Sequence, residues 1–375
     1  RSGVLDACRF YAGLVEEGAP MGYLDLGGGL AVDYEGARTN STHSMNYQLH
    51  EYCTNIVESI CETFDPLGIA HPVIITESGR ATVAYSSMLL FNILDVRTSS
   101  PGPIADNLPV DCNETLVNLQ SALNTVCADN FQESYNDALF YRDELREEFH
   151  HGQATLRERA LGENLYLAVL QKVAAILPQL NRVPPELENL PELLSDIYYG
   201  NFSLFQSLPD IWAIDQVFPI MPIHRLNEQP TRSAVLADLT CDCDGKIDHF
   251  STPEGISRTL SLHALRPDED YYLSVFLVGA YQETLGDLHN LFGDTNVVNV
   301  AIDPDGTFEF EREFHGDSIS DVLSYVEYEP KQMQEKFRLV AEDAVRSGKI
   351  TIAQRQAILR AFKESLHGYT YFEHE

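Results

Sequence analysis

The chain has 375 residues, with 25 Lys and Arg against 57 Asp and Glu, a formal charge of −32. That balance excludes a surface built to bind nucleic acid or an anionic membrane, because phosphate binding is driven by Lys and Arg that displace counterions. With 44% hydrophobic and 10% aromatic residues the chain can bury a sizeable core, which excludes overall disorder, and its length suggests two or three folding units.

No continuous apolar run reaches the roughly 18 residues needed to cross a bilayer, and Arg1 to Arg9 lacks the apolar centre of a signal peptide. Seven cysteines, an odd number spread thinly, read as reduced thiols, and a cytoplasmic setting is expected. The glycosylation-type tripeptides at Asn40, Asn113 and Asn201 are of a kind that arises often by chance. The opening is already helix-like from Val4, so the chain is expected to be a piece of a longer protein.

In chain order, residues 1–97 alternate helix and strand, as a parallel α/β architecture requires: a helix over 4–15, a strand over 23–26, a helix over 45–64 and a strand over 73–76. The loops after the two strands carry Gly27-Gly28-Gly29 and Glu77-Ser78-Gly79-Arg80, where barrel-type α/β enzymes keep their chemistry. Residues 98–133 read as a linker or surface insertion, and 134–195 as helical. From 201 to 313 the pattern turns to short β runs at 202–205, 234–240, 271–278, 297–302 and 307–311, with Asp303-Pro304-Asp305-Gly306 as a hairpin turn between the last two. Residues 316–366 return to helix. The expected units are therefore 1–97, 98–195, 196–314 and 315–375.

Three glycines after a buried strand allow a phosphate to approach main-chain N–H groups, although a plain tight turn has the same composition. In Glu77-Ser78-Gly79-Arg80, Arg can pair with a phosphate and Glu can accept a hydrogen bond from a protonated ring nitrogen; the bland alternative is a structural Arg–Glu pair. The Thr240-to-Gly245 turn lacks further zinc ligands at suitable spacing beyond His249, and lacks the bidentate Glu of a calcium loop. Carboxylates beside Cys241 disfavour a standing thiolate, which suits a proton donor better than a nucleophile. Tyr281, after Gly279-Ala280 at the end of an apolar strand, either reaches a site or simply caps the core. His43, His224, His249, His289 and His315 show no ligand spacing and read as satisfied or solvated.

Five runs then meet a known family: LDLGGGLAVDYEG (24–36), HPVIITESGRA (71–81), NFSLFQSLPDIWAIDQVFPIMP (201–222), LTCDCDGKIDH (239–249) and FLVGAYQETLGDLHNLFGDTNVVNV (276–300). Together, in this order, they resemble the biosynthetic arginine decarboxylases, over nearly the whole chain except about 98–160. The resemblance implies the fold type III pyridoxal-phosphate enzymes related to ornithine and diaminopimelate decarboxylases. It implies an α/β (TIM-type) barrel, present here only in part, then a helical insertion, a β-sandwich-like domain and C-terminal helices. Pyridoxal 5′-phosphate is the implied cofactor. The family's association with magnesium finds no ligand cluster in this sequence.

Residue by residue, the resemblance gives Gly27, Gly28, Gly29, Gly79 and Arg80 to the cofactor phosphate, with Tyr281 reaching it, and Glu77 to the pyridine nitrogen. Cys241 matches the proton-returning cysteine and Asp242 the partner of the substrate guanidinium, with Asp25, Asp210 and Asp215 as further candidates for the substrate. In relatives the Cys-Asp segment meets the glycine loop across a subunit interface, which implies a homodimer or homotetramer. The implied activity is conversion of L-arginine to agmatine and CO2 in polyamine biosynthesis. The alternatives are a sister decarboxylase of ornithine, lysine or diaminopimelate, and a non-catalytic regulatory homologue. The family's Schiff-base lysine lies on an early barrel strand, and none of the six lysines here (172, 246, 331, 336, 349 and 363) matches it. This chain alone is therefore expected to be inactive and poorly stable, with open barrel edges.

Overall fold

The structure is a computed structural model and describes residues 1–104, 108, 112–253 and 255–373. Helix α1 (Ser2–Glu16) leads into strand β1 (Tyr23–Asp25), followed by α2 (Leu49–Phe64) and β2 (Val73–Ile75). The two strands pair in parallel with Tyr23 opposite Val73 and Asp25 opposite Ile75, as the alternating pattern predicts. Cys8 and Tyr11 of α1, Leu24 of β1 and Ile56, Ile60 and Phe64 of α2 form one core. The outer flanks stay apolar and open: Tyr23, Val73, Ile74 and Ile75 are all exposed, and among the described residues neither strand has a second neighbour. The chain between β1 and α2 is extended loop as far as Asn46, so the helix expected from residue 45 begins at Leu49, where Gln48 and Glu51 close a capping box.

Helix α3 (Gly79–Val83) follows β2 directly, and then β3 (Met88–Arg97), a strand absent from the sequence reading. Its burial is continuous at Phe91, Asn92 and Ile93, without the alternation that marks a half-exposed strand, and it pairs with neighbours far downstream rather than with β1 or β2. The stretch read as linker contains helix α4 (Glu114–Thr125), capped by the Asn113 side chain; part of that reading falls on 105–107 and 109–111, outside the described residues. Helices α5 (Phe131–His150) and α6 (Leu156–Ile176) complete a three-helix bundle with α4, and α7 (Leu190–Leu193) closes it. Thr155 and Glu158 exchange the two hydrogen bonds of a capping box at the start of α6. The span Leu156–Gln179, although interrupted by charged residues, is long and apolar enough to cross a membrane by length and composition only. Its Leu165, Val169, Leu170 and Val173 nevertheless form the bundle core.

The remaining strands are β4 (Asp196–Gly200), β5 (Ile220–Pro222), β6 (Arg232–Ala237), β7 (Lys246–Ile247), β8 (Phe250–Thr252), β9 (Gly255–Ser257), β10 (Leu260–Leu262), β11 (Tyr272–Phe276), β12 (Val297–Ile302) and β13 (Phe308–Phe314). A mixed sheet runs in the order β10-β6-β4-β3-β11-β5, with β7 also on β6 and only β4–β6 parallel. The run 202–205, expected as a strand, instead leads into helix α8 (Leu204–Ser207), capped by the Ser203 side chain, and then α9 (Pro209–Ile214). Phe202 and Leu204 are buried because they face the sheet from a turn and a helix, a pattern that a short apolar run cannot distinguish from a strand. The Asp303–Gly306 turn joins β12 and β13 as expected, with Asp303 N–H donating to the Thr307 carbonyl. Helices α10 (Ile319–Tyr325), α11 (Pro330–Arg346) and α12 (Ile352–Leu366) end the chain, as predicted.

Leu165 is fully buried in the bundle core, so Leu165→Ala should lower unfolding free energy by about 2–5 kcal/mol. A shift of the urea midpoint, followed by circular dichroism, measures it.

Candidate active site

The two loops that follow β1 and β2 are bonded to each other. Leu26 N–H donates to the Ile75 carbonyl, and Glu77 N–H donates to the Gly27 carbonyl at 2.9 Å. Parallel pairing therefore puts Gly27–Gly29 and Glu77–Arg80 side by side at the carboxyl ends of their strands. Gly27 and Gly29 have φ of +63° and +107°, a region open to glycine, and a Cβ on any of the three would meet nothing within 4 Å. Asp25 accepts the Gly27 N–H at 2.8 Å and so shapes the bend. Among the described residues the N–H groups of Gly28 and Gly29 donate to no protein acceptor.

The large sheet supplies the third piece. Gly279, just past β11, donates its N–H to the Ala84 carbonyl, and its missing side chain is required there: a Cβ would stand 2.0 Å from the Val83 carbonyl oxygen. Tyr281 then takes a left-handed φ of +72° and lies under the Arg80 guanidinium, 4.9 Å from ring centre to Cζ. Its hydroxyl is 3.4 Å from where a Cβ on Gly79 would project, so Gly79 leaves room for it.

Arg80 is held from three further directions. Its Nη1 donates to the Tyr34 hydroxyl at 3.0 Å, its Nη2 stands 3.7 Å from Asp210 Oδ2, and the Tyr34 ring lies beneath it at 5.9 Å. Tyr34 is buried against Phe218 in an edge-on contact, and burial pushes its phenol above its ordinary value against the opposing pull of Arg80, so it stays protonated. Behind Asp210 stands Gln282, 2% exposed, whose Nε2 donates to Asp210 Oδ2 at 2.8 Å and to the Ala280 carbonyl at 3.0 Å. Asp210 and Gln282 are thus engaged inside the protein. Asp215 is exposed at the end of α9 in a left-handed conformation and makes no contact with Arg80 among the described residues. Trp212 on α9 packs on Phe205, whose ring also lies 4.4 Å from His289.

The Cys241–Asp242 turn is built on a buried carboxylate. Asp238 accepts from Leu204 N–H, from Thr240 N–H and from the Thr240 hydroxyl, all at 2.8 Å, while burial holds its carboxyl above the usual range. Gly245 closes the turn where a Cβ would meet Asp238 Oδ1 at 2.2 Å. Asn290, in a left-handed conformation, accepts from the Cys241 N–H at 3.2 Å and from its thiol at 3.7 Å. His289 Nε2 lies 3.7 Å from Asp242 Oδ2, beyond hydrogen-bond reach, and is buried without a hydrogen-bond partner, so this histidine is neither satisfied nor solvated as expected. Among the described residues no hydrogen bond or ion pair joins Cys241 or Asp242 to the glycine loop or to Arg80.

Pyridoxal phosphate brings a phosphate, a ring nitrogen and a need for an amine. The first two fit this arrangement. The unused amides of Gly28 and Gly29 and the bracketed Arg80 suit the phosphate, and the exposed Glu77 carboxylate on the adjoining loop suits the nitrogen. The amine is not supplied here. Lys172 donates to the Leu123 carbonyl in the bundle, Lys246 is paired with Asp248 at 2.7 Å and is held charged by it, and the other four lie in the C-terminal helical region. Magnesium does not fit. Among the described residues the two candidate ligand groups, Cys61-Asp65-His71 and Asp242-Cys243-Asp244, each include a thiol where that ion requires oxygen ligands. The zinc reading gains no support either, since among the described residues the ligand group at this turn, Asp242-Cys243-Asp244, leaves out His249.

The comparisons with known proteins agree with this geometry. Residues 1–84 match the pyridoxal binding domain of pyridoxal-dependent decarboxylases, 110–191 the arginine decarboxylase helical bundle domain and 319–372 the arginine decarboxylase C-terminal helical extension. These matches, with the architecture above, place the chain's fold among the fold type III pyridoxal-dependent decarboxylases. Within that class, the similarity is to the biosynthetic arginine decarboxylases. It is 45% identical over 99% of its length to the biosynthetic arginine decarboxylase of Thermosynechococcus vestitus, and 42% identical over 100% of its length to that of Bacteroides thetaiotaomicron. The solved structure of the biosynthetic arginine decarboxylase SpeA from Campylobacter jejuni superposes with a TM-score of 0.81 at 30% identity over 99% of this chain. The chain spans 58%, 59% and 60% of those three proteins, respectively.

Tyr34, Asp238, Gln282 and Asn290 went unrecognised in the sequence. Tyr34, Gln282 and Asn290 stand inside quoted motifs but were not singled out within them, and nothing local marks Asp238. Because Gly279 sets where Tyr281 falls, Gly279→Ala should cost about 1–3 kcal/mol through forced displacement of the α3 segment. Guanidinium unfolding of the purified protein reads that loss.

Proposed function

We propose that the protein to which these residues belong is a pyridoxal-phosphate-dependent decarboxylase that converts L-arginine to agmatine and CO2, feeding polyamine biosynthesis. The observation that carries this is the meeting of the glycine bend, the Glu77–Arg80 loop and Tyr281 at one strand-end face, a fit for one phosphorylated heterocycle. When bound, the cofactor supplies an electron sink for the pair left on the α-carbon as CO2 departs.

The chain's own residues divide the remaining work. Gly28 and Gly29 offer amides to the phosphate, and Arg80 adds a fixed positive charge. Glu77 keeps the ring nitrogen protonated, which strengthens the sink. Cys241, held by Asn290, returns a proton to the α-carbon, and Asp242 pairs with the substrate guanidinium, for which a carboxylate is the matching partner. The separation of the Cys241 turn from the glycine loop within one chain supports a site shared between two subunits. This chain's six lysines offer no cofactor bond, so activity requires a lysine from outside it, and the chain alone is inactive.

Cys241→Ala in the full natural chain should retain cofactor absorbance while turnover falls by about 10²-fold; an unchanged rate removes the proton-donor role. Mixing subunits that carry Cys241→Ala with subunits that carry Arg80→Ala should restore about a quarter of wild-type activity if two chains build each site, and none if one chain does. Turnover with ornithine, lysine and diaminopimelate should fall far below that with arginine. Equal or faster turnover with any of them reassigns the substrate.

A further inference from the structure

The Arg80 guanidinium has five N–H donors, and one of them, on Nη1, donates a hydrogen bond to the protein. The carboxylate nearest to it, Asp210, stands at ion-pair rather than hydrogen-bond distance, and the oxygen that faces Arg80 is the one to which Gln282 donates. Gln282 is fully committed: both of its N–H bonds donate, and its Oε1 accepts the Asp210 N–H at 3.2 Å. The left-handed turn at Tyr281 produces this arrangement, because it sends Tyr281 outward under Arg80 and Gln282 inward to Asp210. Arg80 is consequently fixed in direction without being used up, with aromatic rings on two sides and its remaining donors free for an anion.

We propose that Tyr34, Asp210 and Gln282 are positioning residues that aim the Arg80 guanidinium, and that through it they set this protein's preference for a phosphorylated cofactor over the same ring lacking phosphate. The proposal rests on the reading that Arg80 faces the cofactor phosphate. Tyr34 supplies the hydrogen bond that fixes the rotation of the guanidinium plane. Gln282 shares the Asp210 charge, so that Asp210 orients Arg80 without closing a tight pair with which an incoming phosphate would have to compete. A glutamate in place of Gln282 could supply neither donated hydrogen bond and would set two carboxylates side by side.

The test titrates pyridoxal 5′-phosphate and pyridoxal into apoprotein of the full natural chain and compares the two affinities. Tyr34→Phe keeps the ring against Phe218 and removes the hydroxyl; Gln282→Met keeps the volume and removes the amide. In each, affinity for pyridoxal 5′-phosphate should fall on the order of tenfold while affinity for pyridoxal stays within about twofold, because a lost hydrogen bond to a charged group acts on the phosphate alone. Arg80→Lys is the reference. If it lowers the phosphate preference and Tyr34→Phe does not, or if Tyr34→Phe weakens both ligands equally, the positioning role is overturned and the Arg80 reading stands. If Arg80→Lys leaves the preference unchanged, both fall. Should Gln282→Met fail to fold, the Tyr34→Phe comparison decides the question.

Discussion

The close approach of Gly279 to the Val83 carbonyl brings the large sheet against the segment that carries Arg80, and the site depends on it. The glycine bend and Glu77–Arg80 sit on the parallel pair, whereas Tyr281 and Gln282 follow a strand of the large sheet. Only a residue without a side chain lets the second layer come near enough for a tyrosine to lie under Arg80 and a glutamine to reach Asp210. The same approach brings Ala84 into the sheet core, where Val32 and Tyr34 from the chain after the glycine bend are also buried. The binding groups are therefore positioned by ordinary apolar packing rather than by a dedicated framework.

The two halves of the chemistry are built differently. Around Arg80 the supporting groups are aromatic rings and a carboxylate at ion-pair distance that is shared with a neutral amide, which fix the cation without closing a tight pair. Around Cys241 the support is a buried carboxylate, Asp238, that satisfies three donors and so costs less than an unpaired buried charge would. The first arrangement suits an anion arriving from solvent. The second suits a loop that must hold its shape while presenting an exposed thiol and an exposed carboxylate.

Much of this was legible in the residues. The alternation over 1–97 predicted the parallel pair, and the motif loops fell at its strand ends because the carboxyl edge of such a pair is where loops can converge. The hairpin at 303–306 and the C-terminal helices also followed from turn chemistry and periodicity. The failures have physical causes. Strand β3 is buried at three successive residues and lacks alternation, and its partners lie a hundred residues or more away in sequence. Phe202 to Phe205 is apolar for the sake of the core, not of a ladder. Helix α4 is short and polar on its outer side, so it passed for linker. The supporting residues escaped because their importance lies in what they touch, which no spacing encodes.

The chain contains a single tryptophan, Trp212, two residues beyond Asp210 on α9. Its indole leans on Phe205, and the opposite neighbour of that ring is His289, which stands beside Asp242. One native chromophore thus shares a helix with Asp210 and, through Phe205, neighbours the histidine beside Asp242. Its emission can follow ligand arrival at either side in real time, without a label and without turnover.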